Sequence, residues 1–296
     1  MPGFRLPEFN DCEGPFVPDA SLTVVDAHVH LFPDAVFHAM WDWFDRHAWT
    51  IRYQLTSPEI MHFLHSRGVR RVVGLHYAHK PGISRELNRY MAGLCRAFPH
   101  LVGTATVFPG EKGAREILEE GFDLGLSGVK LHAHIQCFHM DSRAMHEIYE
   151  TCSAHEKPLI MHVGREPKTP DIPYPVDPYE TCNAAKFESV LKEYPQVRFC
   201  VPHLGADEYA DYGRMLEQYD NLWLDLAMVL ADYLPIADPP RLGELRSERI
   251  MYGTDFPNIP YAWDREIKRL HELDMPRETL ENILGRNCLE LFSGSG

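Results

Sequence analysis

Two histidines at the end of one apolar run are the residues best placed to do chemistry in this chain. Asp26-Ala27-His28-Val29-His30 closes the run Leu22-Thr23-Val24-Val25. A stretch rich in Val and Thr reads as a buried β-strand. Side chains alternate faces along a strand, so His28 and His30 point the same way. Two imidazoles on one face at a strand end are natural ligands for a divalent metal. An idle, hydrogen-bonded pair would leave the same trace, so the weight falls on what stands further along.

Four more apolar runs end in a similar residue. Val129-Lys130-Leu131 ends in His132, and Leu159-Ile160-Met161 in His162. Phe199-Cys200-Val201-Pro202 ends in His203, and Ile250-Met251-Tyr252-Gly253-Thr254 in Asp255. Three neutral imidazoles and a carboxylate suit one divalent ion, with zinc first and manganese or iron as alternatives. The expected set is His28, His30 and His162 through nitrogen and Asp255 through oxygen. Such an ion lowers the pKa of a bound water towards ~7 and supplies hydroxide at neutral pH. Asp255 is the expected proton carrier, and His203 the group that polarises a substrate carbonyl or orients the water.

These residues need a scaffold that gathers strand ends. Candidate strands cover Leu22–Ala27, Val69–Leu75, Leu101–Val107, Gly128–Leu131, Pro158–Met161, Val197–Val201, Leu222–Leu226 and Arg249–Gly253. Helical patterns lie between them over Pro58–Arg67, Ser84–Phe98, Ala114–Phe122, Ser142–His155, Ala184–Tyr194 and Glu208–Tyr219, with a weaker one near Arg241–Arg246. Pro260–Leu273 and Arg277–Leu291 follow the last strand. Asp141 is the expected N-cap of the fourth of these helices, whose Met145, Ile148, Tyr149 and Cys152 form one apolar stripe. Eight alternations predict an α/β fold, a single parallel (β/α)8 TIM barrel, whose strand ends converge on one face. Residues 1–20, with Pro2, Pro7, Pro15 and Pro18, read as an extended N-terminal arm, and 21–292 as the barrel, closed by a C-terminal helix. Phe32–Tyr53, which carries Trp41, Trp43, Phe44 and Trp49, and the Pro-rich Pro167–Pro178 read as long loops over the mouth.

Composition narrows the partners. The 296 residues carry 29 basic and 43 acidic side chains, a net charge of −14 that repels phosphate backbones and argues against nucleic acid. No apolar run approaches the ~20 residues of a membrane span. The arm has no signal-peptide core, and seven dispersed cysteines without a CxxC pair suggest reduced thiols and a cytoplasmic setting. A small-molecule substrate is the expectation.

His28-Val29-His30, Gly128-Val129-Lys130-Leu131-His132, His162-Val163-Gly164, Pro202-His203-Leu204-Gly205 and Gly253-Thr254-Asp255-Phe256-Pro257 together resemble the amidohydrolase superfamily. The nearest branch is the amidohydrolase 2 family of TIM-barrel metal-dependent hydrolases, whose relatives include aminocarboxymuconate-semialdehyde decarboxylase. The resemblance runs in order from about residue 24 to 290. It implies one essential divalent metal, most often zinc, on His28, His30, His162 and Asp255, with His203 as an acid/base or polarising group. In other superfamily branches a lysine at the place of Lys130 becomes a carbamate bridging two metals, and His162 and His203 would then hold the second ion. The nearer branch favours one metal, leaving Lys130 and His132 as possible second-metal or substrate contacts. A homodimer is the expectation for such barrels.

Around this set, Arg165 is a candidate to pin a substrate carboxylate, with a surface ion pair as its alternative. Glu166 and His134 stand near the pocket or in solvated loop. Asp225 is expected to support the mouth, and Asp26 to bond within the barrel. The leading reaction is hydrolysis of an amide, ester or lactone by metal-activated water. The alternative is non-oxidative decarboxylation of an unsaturated or aromatic acid with the same ligands. The compactness of the chain tilts the reading to hydrolysis, because decarboxylase relatives tend to be longer. A barrel that binds a small acid without turnover, and a metal-dependent nuclease, are the remaining readings; the intact ligand set counts against the first and the net charge against the second.

Overall fold

The computed structural model describes residues 12–166, 174–233 and 242–293. Eight parallel strands alternate with helices. They are β1 (Val24–His30), β2 (Val69–Leu75), β3 (Leu101–Gly103), β4 (Val129–His132), β5 (Leu159–His162), β6 (Phe199–Val201), β7 (Leu222–Asp225) and β8 (Ile250–Met251). Continuous pairing joins β1-β2-β3 and β4-β5-β6-β7-β8. Single bridges close the two seams, Ala105 against Val129 and Val29 against Phe256, both parallel. Backbone bonds across the seams, Lys130 N to Ala105 O at 2.8 Å and Ala27 N to Tyr252 O at 2.9 Å, complete the cylinder. This is the TIM barrel expected from the sequence.

β3, β6, β7 and β8 are shorter than their apolar runs suggest, β2, β4 and β5 have the expected length, and β1 runs on to His30. The third run continues past Gly103, where Thr104 N still bonds Gly74 O at 3.1 Å, but Thr106 N turns to Asn88 Oδ1 at 2.8 Å and its hydroxyl donates to Lys130 O at 2.9 Å. All seven residues of β1 are buried, so Asp26, His28 and His30 sit inside protein although they are polar. Burial of that kind requires partners.

The outer layer holds α1 (Asp34–His47), α2 (Ser57–Ser66), α3 (Ser84–Ala97), α4 (Ala114–Asp123), α5 (Arg143–Ala154), α6 (Ala184–Glu193), α7 (Tyr209–Gln218) and α8 (Arg265–Glu272). The stripe Met145, Ile148, Tyr149 and Cys152 is buried against the barrel as its spacing requires. Its cap is Ser142 rather than Asp141: the Ser142 side chain accepts from Met145 N, one residue later than expected. The aromatic insertion contains α1, with Phe37 and Trp41 buried, where the sequence suggested a loop. Trp49 Nε1 donates to Asn258 O at 2.8 Å, tying the insertion to the segment after β8. The weak pattern near residue 241 gives two 3-10 turns, Leu242–Glu244 and Ser247–Arg249, and no α-helix among the described residues. The helix expected from Pro260 starts at Arg265.

Residues 1–11 of the expected arm and 167–173 of the Pro-rich loop lie outside the described residues. The arm from Cys12 onward lies on the barrel. Val17 N donates to Arg67 O at 2.8 Å, and Glu13 meets the hydroxyl of Tyr53. No helix among the described residues is long and apolar enough to cross a membrane.

Candidate metal centre

The barrel brings His28, His30 and Asp255 together at one end. His28 Nε2 stands 3.3 Å from His30 Nε2 and 3.3 Å from Asp255 Oδ1, and His30 Nε2 is 2.9 Å from the same oxygen. The seam makes this possible: Asp255 N donates to His28 O at 2.9 Å and His30 N to Phe256 O at 2.8 Å, locking the end of β8 onto β1. Asp255 itself adopts a left-handed backbone, φ 65°, which turns its carboxylate inward. Donors about 2.0–2.2 Å from one ion stand roughly 3.0–3.5 Å apart, so this triangle fits a divalent metal.

Electrostatics agree with the ligand role. Burial pushes the His28 imidazole down to about 4, against the opposing pull of Asp225, and lowers His30 in the same way. Both rings are therefore neutral and keep a lone pair for a cation. Burial would raise the Asp255 carboxyl. The His30 hydrogen bond and the nearby His30, His28 and His203 rings outweigh it and hold the group well below the usual carboxylate range.

A second layer sets the direction of each ring. Asp225 Oδ2 accepts from His28 Nδ1 at 2.9 Å, so that nitrogen carries the proton and Nε2 turns its lone pair to the triangle. Asp225 Oδ1 accepts from His203 N and Ala227 N, each at 3.1 Å. His203 Nδ1 faces Ala227 O at 2.7 Å; a carbonyl only accepts, so the proton is there and Nε2 is left for the site. Asp26 accepts from Thr254 Oγ1 (2.6 Å), Thr254 N (3.1 Å) and His28 N (3.1 Å), bracing β1 against the turn that carries Asp255. Burial raises that carboxyl to about 7, with the Thr254 contacts opposing.

His162 belongs to a neighbouring group. Its Nε2 meets Glu166, and the ligand atoms of His162, Glu166 and His203 lie within 4.8 Å of one another. The His203 ring links the two groups, with its centroid 5.1 Å from that of His28 and 4.6 Å from that of His162. The sequence joined His162 directly to His28, His30 and Asp255; the described side chains form two adjoining groups of three instead. Glu166, which the sequence left between pocket and solvated loop, is the carboxylate of the second group. Its position four residues after His162 is the one signal that pointed to it.

The turns behind these histidines are tight. His203 and Leu204 take φ 55° and 50°, and Gly164 takes φ 101°. A Cβ on Gly164 would lie 2.3 Å from Gly205 O, so the His-Val-Gly and His-Leu-Gly turns can approach only through glycine.

Lys130 and His132 share the rim. Lys130 is fully buried and its Nζ has no hydrogen-bond partner among the described residues; burial pushes the amine down to about 8 although Asp225 and Asp255 oppose. His132 stacks on His162 with centroids 3.9 Å apart, and its Nδ1 is buried without a partner. Arg165, next to Glu166 in the chain, directs its side chain to Glu208. Its Nε is 3.0 Å from Glu208 Oε1, and Glu208 also accepts from Arg165 N at 3.0 Å, which matches the ion-pair alternative rather than the substrate contact. Tyr77, which the sequence did not single out, lies two residues beyond the end of β2. Its ring is edge-on to His30 (5.8 Å), Phe32 (5.2 Å) and His132 (4.9 Å).

A barrel with histidine and aspartate donors at the ends of β1, β5, β6 and β8 defines a class of metal-dependent enzymes. The chain belongs to the amidohydrolase family, whose model matches residues 25–294. Among solved structures, it is similar to an uncharacterized TIM-barrel protein from Bordetella bronchiseptica, with 19% identity and TM-score 0.67 over 91% of this chain and 98% of that one. It is also similar to 2,6-dihydroxybenzoate decarboxylase from Rhizobium, with 16% identity and TM-score 0.64 over 93% and 100%. A third is 5-carboxyvanillate decarboxylase from Novosphingobium aromaticivorans in complex with manganese, with 14% identity and TM-score 0.63 over 97% and 99%. No curated protein matches the chain.

Proposed function

We propose that the protein is a metal-dependent, non-oxidative decarboxylase of an unsaturated or aromatic carboxylic acid. The observation that carries this reading is an aromatic wall beside the donor triangle. Phe32 stacks on His30 with centroids 5.9 Å apart and an interplanar angle of 10°, and Tyr77 stands edge-on to both. Phe32 is fully buried and backs the wall, so a flat conjugated acid can meet the half-buried Tyr77 ring while turning its oxygens to the triangle. Two of the similar structures bear decarboxylase names, which adds support. The length argument for hydrolysis loses its force, since the Rhizobium decarboxylase is matched over its whole chain by 93% of this one.

A bound divalent ion, zinc or manganese, would supply positive charge for the substrate oxygens and for the electron density left as the carboxylate departs. His28, His30 and Asp255 would hold it, and His162 stands close enough to join through the shared rim. Asp225 keeps His28 and His203 in the tautomers that face the site. His203, once protonated at Nε2 as well, gives that proton to the carbon that loses the carboxylate. The electron pair of the breaking carbon–carbon bond takes the proton, and CO2 leaves. Asp255 is the alternative carrier. Near-complete burial of the histidines confines access of bulk water to the Asp255 side of the developing charge.

Hydrolysis of an acyl substrate is the second reading, and one observation favours it. The Asp255 side chain is 13% exposed, against 0% for His28 and 5% for His30, so water reaches the triangle on the aspartate side. The test is an assay of the chain loaded with zinc, manganese or iron against aromatic acids, lactones and acyl amides, with CO2 measured separately. Chelator-sensitive CO2 release from an aromatic acid is expected. Acyl cleavage without CO2 would replace the proposal with hydrolysis, and no turnover with any metal would overturn both.

A further inference from the structure

We propose that Tyr77 is a substrate-positioning residue whose hydroxyl donates a hydrogen bond to an oxygen of the bound acid at the rim between the two donor groups. The class of substrate rests on the decarboxylase reading above; the placement of the donor rests on the side chains themselves.

The ring is held by three others from two sides of the mouth. His30 and Phe32 from the end of β1 and His132 from the end of β4 meet it at 84°, 77° and 74°. Such edge-on packing fixes where the hydroxyl can be. Phenylalanine would build the same wall, so packing accounts for the ring and leaves the oxygen unexplained.

Several tyrosine hydroxyls elsewhere in the barrel find partners: Tyr149 donates to Met140 O at 3.0 Å and Tyr219 to Glu188 at 2.8 Å, while the half-buried Tyr90 and Tyr233 lie away from the donor groups. The hydroxyls of Tyr212 and Tyr252 have none, but both are sealed in the core, where no ligand arrives. Tyr77 differs from both sets. It is half-buried, makes no hydrogen bond among the described residues, and lies within electrostatic reach of the two donor groups. A tyrosine hydroxyl is a phenol at neutral pH and can donate. Asp255 belongs to one donor group and Glu166 to the other, which places the hydroxyl within electrostatic reach of both. An O–H aimed at a carboxylate or phenolate oxygen makes a short, charge-assisted bond.

The test uses the full metal-loaded chain with salicylate and benzoate as probes, followed by calorimetric titration. Tyr77→Phe removes only the hydroxyl, and should weaken salicylate about 10-fold, the scale of a hydrogen bond to a charged partner. Metal content should not change. With an acid that is turned over, KM should rise by a similar factor while kcat stays within about 2-fold. Tyr77→Ala, which also removes the wall, should weaken both probes further. Equal binding of both acids by wild type and Tyr77→Phe would overturn the proposal, as would failure of the metal-loaded wild type to bind either one. Hydroxyl-dependent binding without CO2 release would leave this inference standing and sink the decarboxylase reading instead.

Discussion

Among the described residues, the carboxylates that face the site from β1, β7 and β8 are paired with its histidines and turns, whereas Lys130, His132 and Tyr77 on the β2 and β4 side each keep an unpaired polar atom. On the first side Asp225 holds His28 and His203, Asp26 holds Thr254, and Asp255 meets both histidines of β1. The exceptions there are His30 Nδ1 and Asn258 Oδ1, with Trp223 Nε1 and the Tyr252 hydroxyl deeper in the core. On the second side Lys130 Nζ and His132 Nδ1 are buried without partners, and the Tyr77 hydroxyl makes no bond. An unpaired buried polar atom costs about 1–3 kcal/mol, so natural proteins keep few of them without a purpose. The contrast separates two tasks. One side is preset to hold a cation in fixed geometry. The other keeps donors in reserve for something that arrives.

The comparison breaks most completely if the paired side does not hold metal. Replacing both His28 and His30 by Ala should remove bound metal from the purified chain, and turnover with it. Metal analysis should find one ion per wild-type chain and none in the double variant. Two ions per wild-type chain would extend the centre to His162, Glu166 and His203.

Next in size is Asp255→Asn. The amide preserves shape and burial but has no charge to neutralise a cation and no basic oxygen to carry a proton. Turnover should fall by about 10^3-fold or more, with the far-ultraviolet spectrum and melting transition nearly unchanged. Retained turnover would take Asp255 out of proton transfer.

Asp225→Asn should have a smaller effect that sharpens the division. It touches no cation in the arrangement proposed, but it fixes the tautomer of His28 and the backbone of His203. Loss of such a supporting carboxylate costs about 10- to 100-fold in metal affinity. A metal-binding titration with a competing chelator reads this directly, and an unchanged affinity would reduce Asp225 to a packing role.

The sequence made the paired side far more legible than the reserve side. His28, His30 and Asp255 announce themselves because strand periodicity and strand ends are local signals, and the barrel supplies the convergence. Asp225 was readable as support for the same reason: it ends β7. His162 was placed correctly on its strand end, but its grouping was not readable, because that depends on how the turns after β5 and β6 fold. Gly164 and Gly205 set that approach through backbone contact, which no spacing rule encodes. Tyr77 passed unnoticed because a lone tyrosine carries no motif; its meaning comes from three rings brought from β1 and β4. Which of its two readings Arg165 follows was not legible for a related reason. A cation beside a ligand histidine suggests an anion site, yet the turn directs its side chain to Glu208.

The smallest effect concerns Lys130, and it tests whether the reserve side is held at a cost to the fold. Burial lowers the amine from 10.5 to about 8 in the metal-free chain. The unfolded chain therefore binds the proton more tightly, and folding at lower pH must bury a charged ammonium. The sign follows from linkage: this penalty is fully present below pH 8 and disappears as pH rises from about 8 to about 10.5. Its size is about 3 kcal/mol for a shift of this extent. Lys130→Met keeps the length of the side chain and removes the charge. Chelator-treated Lys130→Met should be more stable than wild type near pH 7, and the difference should shrink between pH 8 and pH 10.5. Urea denaturation of both chains across that range isolates the lysine, because every other titrating group is shared. Parallel stability curves would mean that Lys130 has a partner in solution, and the unpaired side of the rim would lose its most costly member.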